Sequence, residues 1–337
     1  MNTLKSLNLD PHKTHGAIRE IALGKAANSL SELLLEYGER DPRLCYVGVD
    51  TMDAAFQKRF PERAFDVGIA EQNELGLATG LAKVGLLPVV QGWSPFTPLR
   101  NFDQLRTYLC RHQSNVKIVT TTLGLANCSH GTTHHDLESI ALYRTVPNLV
   151  VLAAMDDAQF RAAFHAAMAH EGPVVVMGPP ELYAPGADAR YLERTLSHGT
   201  FTIGRAEWLR RGEAATVFAV GSALHYALDA AGRLDAEGIS VGVVNMCSLK
   251  PFDSGAVLEA LSISRVILSV EEQNPNGGLG SAVAETIAES GIAARFQRMA
   301  IPDQYVENLG DWTYTRQGVG LTADRVISRL KRLLGRE

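Results

Sequence analysis

Short runs that are apolar on nearly every residue recur along this chain and constrain its fold more than any other feature. In the first half they are CYVGV (45–49), LPVVQG (87–92), VKIVTTT (116–122), NLVVLAAM (148–155) and PVVVMG (173–178), with helical stretches between them. Runs this short and this uniformly apolar suit strands buried on both faces, as in a parallel sheet covered by helices. A second set follows in ATVFAVG (215–221), ISVGVV (239–244), RVILSVEE (265–272) and RFQRMAI (295–301), and a helix from Ala323 to Leu334 closes the chain. Between the sets the periodicity lapses around Pro179, Pro180, Pro185 and Gly186. A chain of 337 residues exceeds one such core. The fold class expected is α/β, with two doubly wound α/β domains in tandem. Residues 1–15 read as a flexible tail, 16–180 as the first domain, 181–213 as a linker leading into the second, and 214–337 as the second. Apolar residues at helical spacing predict an opening helix from Gly16 to Gly38, stopped by Asp41-Pro42.

Charge and apolar patterning exclude several partners. A net charge of −5 without a long basic run gives no support to a nucleic-acid groove. No apolar run approaches the ~20 residues needed to span a bilayer, and the N-terminus lacks the apolar core of a signal peptide, so a cytoplasmic protein is expected. Cys45, Cys110, Cys128 and Cys247 form no C-x-x-C pair, which predicts buried free thiols rather than disulfides or a zinc site.

The stretch FDVGIAEQNELGLATGLAKVG (65–85) sets Glu71 where a short strand (Ala64 to Val67, ending at Gly68) meets a helix running from about Gln72 to Val84. Parallel α/β sheets build their sites at such junctions. Glu71 is then either a catalytic acid/base or an ordinary first-turn carboxylate. The helix carries Gly76, Ala78, Gly80 and Ala82, and glycine inside a helix predicts close packing against it. Burial under such a contact would favour the protonated carboxyl unless a donor compensates, as proton exchange with a ring nitrogen requires. Two loops flank Glu71. One, GWSPFTPLRNFDQLR (92–106), offers Trp93 and Phe96, either to stack on a flat ligand or to fill core. The other, GLANCSHGTTHHDLE (124–138), holds His130, His134 and His135. Its H-x-x-x-H spacing invites a metal, but Gly131-Thr132-Thr133 resists helix, so convergent imidazoles are not expected and no metal ligand is assigned. Histidines in such a loop suit hydrogen bonding or proton donation to a polar substrate.

GIAEQN, then Phe96-x-x-x-Arg100-x-Phe102-Asp103-Gln104, then Gly124-Leu125 with Thr133-His134, resembles in order and spacing the pyrimidine-binding domain of transketolase-like thiamine diphosphate enzymes. VGSAL (220–224), Lys250-Pro251-Phe252-Asp253 and VEEQNPNGGLG (270–280) resemble their C-terminal domain, and the likeness covers about residues 16 to 332. It implies that Glu71 hydrogen-bonds N1′ of the aminopyrimidine, that Phe96 stacks on that ring and that His134 contacts substrate oxygens. It also implies a position near the cofactor edge for Asp50, and Trp93 and Arg100 are expected to bind the cofactor.

Two departures from the family pattern follow. No Gly-Asp-Gly with a downstream Asn-Asn occurs, so Mg²⁺ and the diphosphate are expected on a partner α subunit, in an α₂β₂ assembly. Ser129-His130-Gly131 stands where transketolases usually show Glu-Asp-Gly, and Met177 and Pro180 stand near the position of a phosphate-binding arginine; the resemblance leaves Arg19 as a candidate for another phosphate contact. A modified sugar or unusual ketol donor is therefore expected rather than an ordinary pentose phosphate, with His130 in substrate selection. The resemblance implies a β subunit moving a two-carbon ketol unit from a ketose to an aldehyde. The alternatives are a β subunit of a 2-oxoacid dehydrogenase or other decarboxylating thiamine diphosphate enzyme, and a non-catalytic scaffold.

Overall fold

The computed structural model describes residues 29–50, 52–121, 123–178, 197, 201–307 and 309–336. The expected tail, Arg19, Pro180 and most of the expected linker lie outside them. Of the expected opening helix, 29–40 is described and helical, burying Leu30, Leu33 and Leu34.

Every long apolar run forms a strand. Leu44–Gly48 (β1), Ala64–Asp66 (β2), Leu87–Trp93 (β3), Lys117–Thr121 (β4), Val150–Ala153 (β5) and Val174–Met177 (β6) lie parallel. Pairings such as Val47↔Val90, Val90↔Ile118 and Ile118↔Val175 stack β-branched side chains across the sheet. The second sheet contains Glu207–Arg210 (β7), Ala215–Ala219 (β8), Val241–Asn245 (β9), Val266–Val270 (β11) and Arg295–Met299 (β12), in the order β12-β11-β8-β9-β7. Ser248–Lys250 (β10) crosses over to the first sheet, whose order is β10-β5-β6-β4-β3-β1-β2.

β7 and β10 are antiparallel edges that the apolar runs did not reveal. Edge strands need not be apolar throughout, since one long side faces no neighbour. In β7, Trp208 lies under the Arg211 guanidinium at 4.1 Å. In β10, Lys250 Nζ donates to the carbonyls of Arg144 and Val146, at the end of the helix Ser139–Thr145. The Lys250-Pro251-Phe252-Asp253 turn thus binds the second domain to the first.

A second join is a hydrogen bond from the first domain to a carboxylate that an ion pair within the second domain holds in place. Arg316, from the helix Trp312–Gly318, is 1% exposed and reaches Glu272 through Nε–Oε1 at 2.5 Å and Nη2–Oε2 at 2.6 Å. Its guanidinium also lies 3.5 Å above the Trp312 ring. Glu272, just past β11, accepts the Leu125 amide of the first domain at 3.1 Å. Gly124 has φ +68, and a Cβ there would come within 2.6 Å of the Glu272 Cβ, so two reasons exclude a larger residue. All four cysteines are buried and free.

Candidate functional site

Glu71 opens the helix Glu71–Lys83 at the carboxyl end of the first sheet, after Gly68 turns the chain with φ +65. Its side chain is buried and accepts a hydrogen bond from Arg100 Nη1 at 2.6 Å. Arg100 lies on the turn after β3, where Tyr143 Oη donates to the Thr97 carbonyl at 2.7 Å and Asn101 Nδ2 donates to the Glu71 carbonyl at 3.3 Å. The Arg100 guanidinium stacks 3.9 Å from the centroid of the half-buried Phe96 ring. His134 meets Phe96 edge-on at 5.1 Å and Trp93 at 6.2 Å between centroids. Asp50 stands at the exposed rim with φ 58, its amide donating to the Gly68 carbonyl at 3.3 Å. Glu71, Phe96, Trp93, Arg100, His134, His130 and Asp50 thus gather at one end of the sheet.

The second domain holds the base of the histidine loop. Gln273 Nε2 donates to the Asp136 carbonyl at 2.5 Å and its Oε1 accepts the Ile140 amide at 3.2 Å, while the Asp136 amide donates to the Gly124 carbonyl at 2.9 Å. Thr132–His134 forms a single 3₁₀ turn, which carries His134 back so that its ring sits 5.3 Å from that of exposed His130. The expectation that Gly131-Thr132-Thr133 would keep these imidazoles apart is therefore corrected: a tight turn converges them without an α-helix. Among the described residues no group of three His, Cys, Asp or Glu side chains gathers to hold a metal. Burial first, then the Arg100 cation, pushes the His134 imidazole below the ordinary histidine value, with Asp50 opposing. At neutral pH His134 is thus an uncharged ring that donates through one nitrogen and accepts through the other.

Close packing on the glycines is also corrected. A Cβ at Gly76 or Gly80 would meet nothing within 4 Å, and the flanking Ile69 and Val84 are 68% and 76% exposed. Within the chain this helix face is bare; the burial of Glu71 comes from its inner face and from the turn after β3.

Glu74 belongs to no motif in the sequence and stands out only in the fold. It lies one turn beyond Glu71, on the same face at i, i+3, is 0% exposed, and neither carboxylate oxygen has a hydrogen-bond partner. A charged residue in a run of small and apolar ones was its only signal. Burial, and then the Glu71 charge, pushes its carboxyl well above the usual range, so it holds a proton where ordinary carboxylates have lost theirs. The folded chain then binds a proton that the unfolded chain has released. This contribution to stability is complete below the ordinary glutamate value and is lost as pH rises through the raised one. Glu74→Met should remove that slope and stabilise the chain by about 1–3 kcal/mol at pH 8. Denaturation curves at pH 5 and pH 8 check this; an unchanged slope would place the charge elsewhere.

This geometry has counterparts. The family profile "Transketolase, pyrimidine binding domain" matches residues 24–185, and "Transketolase, C-terminal domain" matches 204–326. The chain is 34% identical over 305 residues to the 6-deoxy-6-sulfo-D-fructose transketolase subunit SqwH of Clostridium sp. (strain MSTE9), covering 88% of this chain and 90% of that protein. It is 35% identical over 300 residues to 1-deoxy-D-xylulose-5-phosphate synthase of Heliobacterium modesticaldum, covering 88% of this chain but only 45% of that enzyme. A solved structure described as a split gene transketolase in an inactive β4 tetramer superposes with a TM-score of 0.75 at 33% identity, covering 92% of this chain and 98% of that one. With both domain types in order and a relative matched along nine-tenths of its length, the chain belongs to the transketolase family of thiamine diphosphate enzymes, as a split-type subunit of pyrimidine-binding and C-terminal domains.

Proposed function

We propose that this chain is the β subunit of a two-chain transketolase-like enzyme that moves a two-carbon ketol unit from a ketose to an aldehyde. One observation carries the reading: Glu71 and Phe96 already hold a flat, nitrogen-rich group, the Arg100 guanidinium, between a carboxylate and an aromatic face. An aminopyrimidine would use the same oxygen and the same face, with one proton between its ring nitrogen and the carboxyl, so the residues fit thiamine diphosphate. When bound, that cofactor supplies the acidic carbon and the electron sink for breaking a carbon–carbon bond. Glu71 holds a proton at the ring nitrogen in a site shielded from water, and Phe96 fixes the plane of the ring. His134, uncharged, exchanges hydrogen bonds with substrate oxygens, and exposed His130 extends that surface outward. Trp93 and Asp50 line the edge. Cytoplasmic placement belongs to the same reading; among the described residues no helix is long and apolar enough to cross a membrane.

Mg²⁺ and the diphosphate fall to a partner α subunit, since Gly-Asp-Gly with a downstream Asn-Asn is absent from the sequence. The bare helix face at Gly76 and Gly80 suits close approach of that partner in an α₂β₂ assembly. An aromatic stack and one carboxylate hydrogen bond bind weakly once association is set against them. Thiamine diphosphate and Mg²⁺ added to the chain alone should give no turnover, and adding the α subunit should start it. Robust activity of the isolated chain would overturn the reading.

A sugar altered at the end remote from the ketol is the favoured substrate class, because Met177 stands near the usual phosphate-binding arginine and SqwH is named for a sulfonated sugar. His130→Asp should reorder a panel of donors and acceptors while leaving cofactor affinity within about twofold, since an imidazole donates where an aspartate only accepts. An unchanged order would leave His130 as loop scaffold. The likeness to 1-deoxy-D-xylulose-5-phosphate synthase favours a second reading, a decarboxylating enzyme; release of CO₂ from a 2-oxo acid by the assembled pair would select it.

A further inference from the structure

We propose that Arg100 is a positioning residue that occupies the seat of the pyrimidine ring in the free chain and must leave before the ring can enter. The inference rests on the reading of Glu71 and Phe96 as that seat. A guanidinium is planar, carries N–H donors along its edge and stacks on aromatic faces. Here it uses both properties at once: Nη1 lies 2.6 Å from Glu71 Oε1, and Cζ lies 3.9 Å from the Phe96 centroid. A ring bound to the same oxygen and the same face cannot share them with it.

Glu71 explains why the seat is filled. Its side chain is 5% exposed, so an ionised carboxylate there would lack both water and a donor without Arg100. The Arg100 side chain is 46% exposed, so its charge can turn out into solvent when displaced and strand no buried cation. The asymmetry makes the exchange workable: the buried carboxyl trades the guanidinium donor for a hydrogen bond to the ring nitrogen with one proton between them, and the mobile partner keeps water. The backbone of the turn stays fixed throughout, because the Arg100 carbonyl accepts Gln72 Nε2 at 3.1 Å and its amide donates to the Phe96 carbonyl at 2.9 Å. The exchange is then a side-chain rotation.

The test uses the full chain, with 4-amino-5-hydroxymethyl-2-methylpyrimidine as the ring probe and methylguanidinium as a guanidinium probe, both followed by calorimetry and Trp93 fluorescence. Arg100→Ala should bind the ring probe about tenfold more tightly than wild type, because the internal competitor is gone. Methylguanidinium should bind Arg100→Ala, compete with the ring probe there, and fail to bind wild type or the double variant Arg100→Ala/Phe96→Ala. Arg100→Lys keeps the charge but not the plane and should fall between wild type and Arg100→Ala. Equal or weaker ring binding by Arg100→Ala would overturn the proposal while leaving the cofactor assignment intact. Failure of the ring probe with every variant would instead count against the cofactor seat. Methylguanidinium then decides the role of Arg100 alone: binding to Arg100→Ala supports it, and absence of binding overturns it.

Discussion

Glu71→Ala is expected to cut turnover of the assembled enzyme severely and to leave the fold in place. The expected loss is about 100- to 10,000-fold and falls on kcat, the range seen when a positioned acid/base is removed. Stability changes little, because the other half of the ion pair, Arg100, is 46% exposed and rehydrates, and pairs with an exposed member contribute under about 1 kcal/mol. Hydrogen–deuterium exchange at C2 of the bound cofactor reports the step directly, apart from substrate binding and product release. Exchange at the wild-type rate in Glu71→Ala would remove Glu71 from the proton path and return it to the role of a first-turn carboxylate.

Arg316→Met has the largest expected effect on stability. Arg316 and Glu272 are 1% and 3% exposed, so deleting the cation leaves a carboxylate in the join between the domains with the Leu125 amide and no countercharge. Removing one partner of a buried pair costs about 3–5 kcal/mol, a large share of a typical domain's stability. Replacing both, as Glu272→Leu/Arg316→Met, should recover most of that loss, because no uncompensated charge remains. Denaturant unfolding with a probe in each domain separates loss of the join from loss of a single core. A double variant no more stable than Arg316→Met would show that packing of the arginine on Trp312, rather than its charge, supports the join. The same variant should loosen the histidine loop, whose base is held by Glu272 and its neighbour Gln273.

Much of this was legible in the residues. Strands buried on both faces are apolar at most positions, so β1, β3, β4, β5 and β6 announce themselves in a single chain. GIAEQN placed Glu71 at a strand-to-helix junction because a short apolar run, a glycine and a helix start are all local signals. The spacing from Phe96 to Arg100 and from Thr133 to His134 pointed to the family before any contact was known.

What the tertiary structure alone decided are the relations between elements far apart in sequence. β10 pairs with β5 from nearly 100 positions away, and a three-residue edge, Ser-Leu-Lys, is too short to carry a pattern of its own. The convergence of His130 and His134 depends on one 3₁₀ turn, whose hydrogen bond a propensity scale does not resolve. Glu74 carries no motif in the sequence, yet β3 covers it: its Oε2 would lie 3.8 Å from a Cβ on Gly92. That Arg100 fills the seat between Glu71 and Phe96 follows from burial of one partner and exposure of the other. Local signals specify elements because each residue's conformational preference acts within a few positions. Burial, charge pairing and vacancy belong to surfaces that exist only after those elements have packed, and they determine what this site can hold.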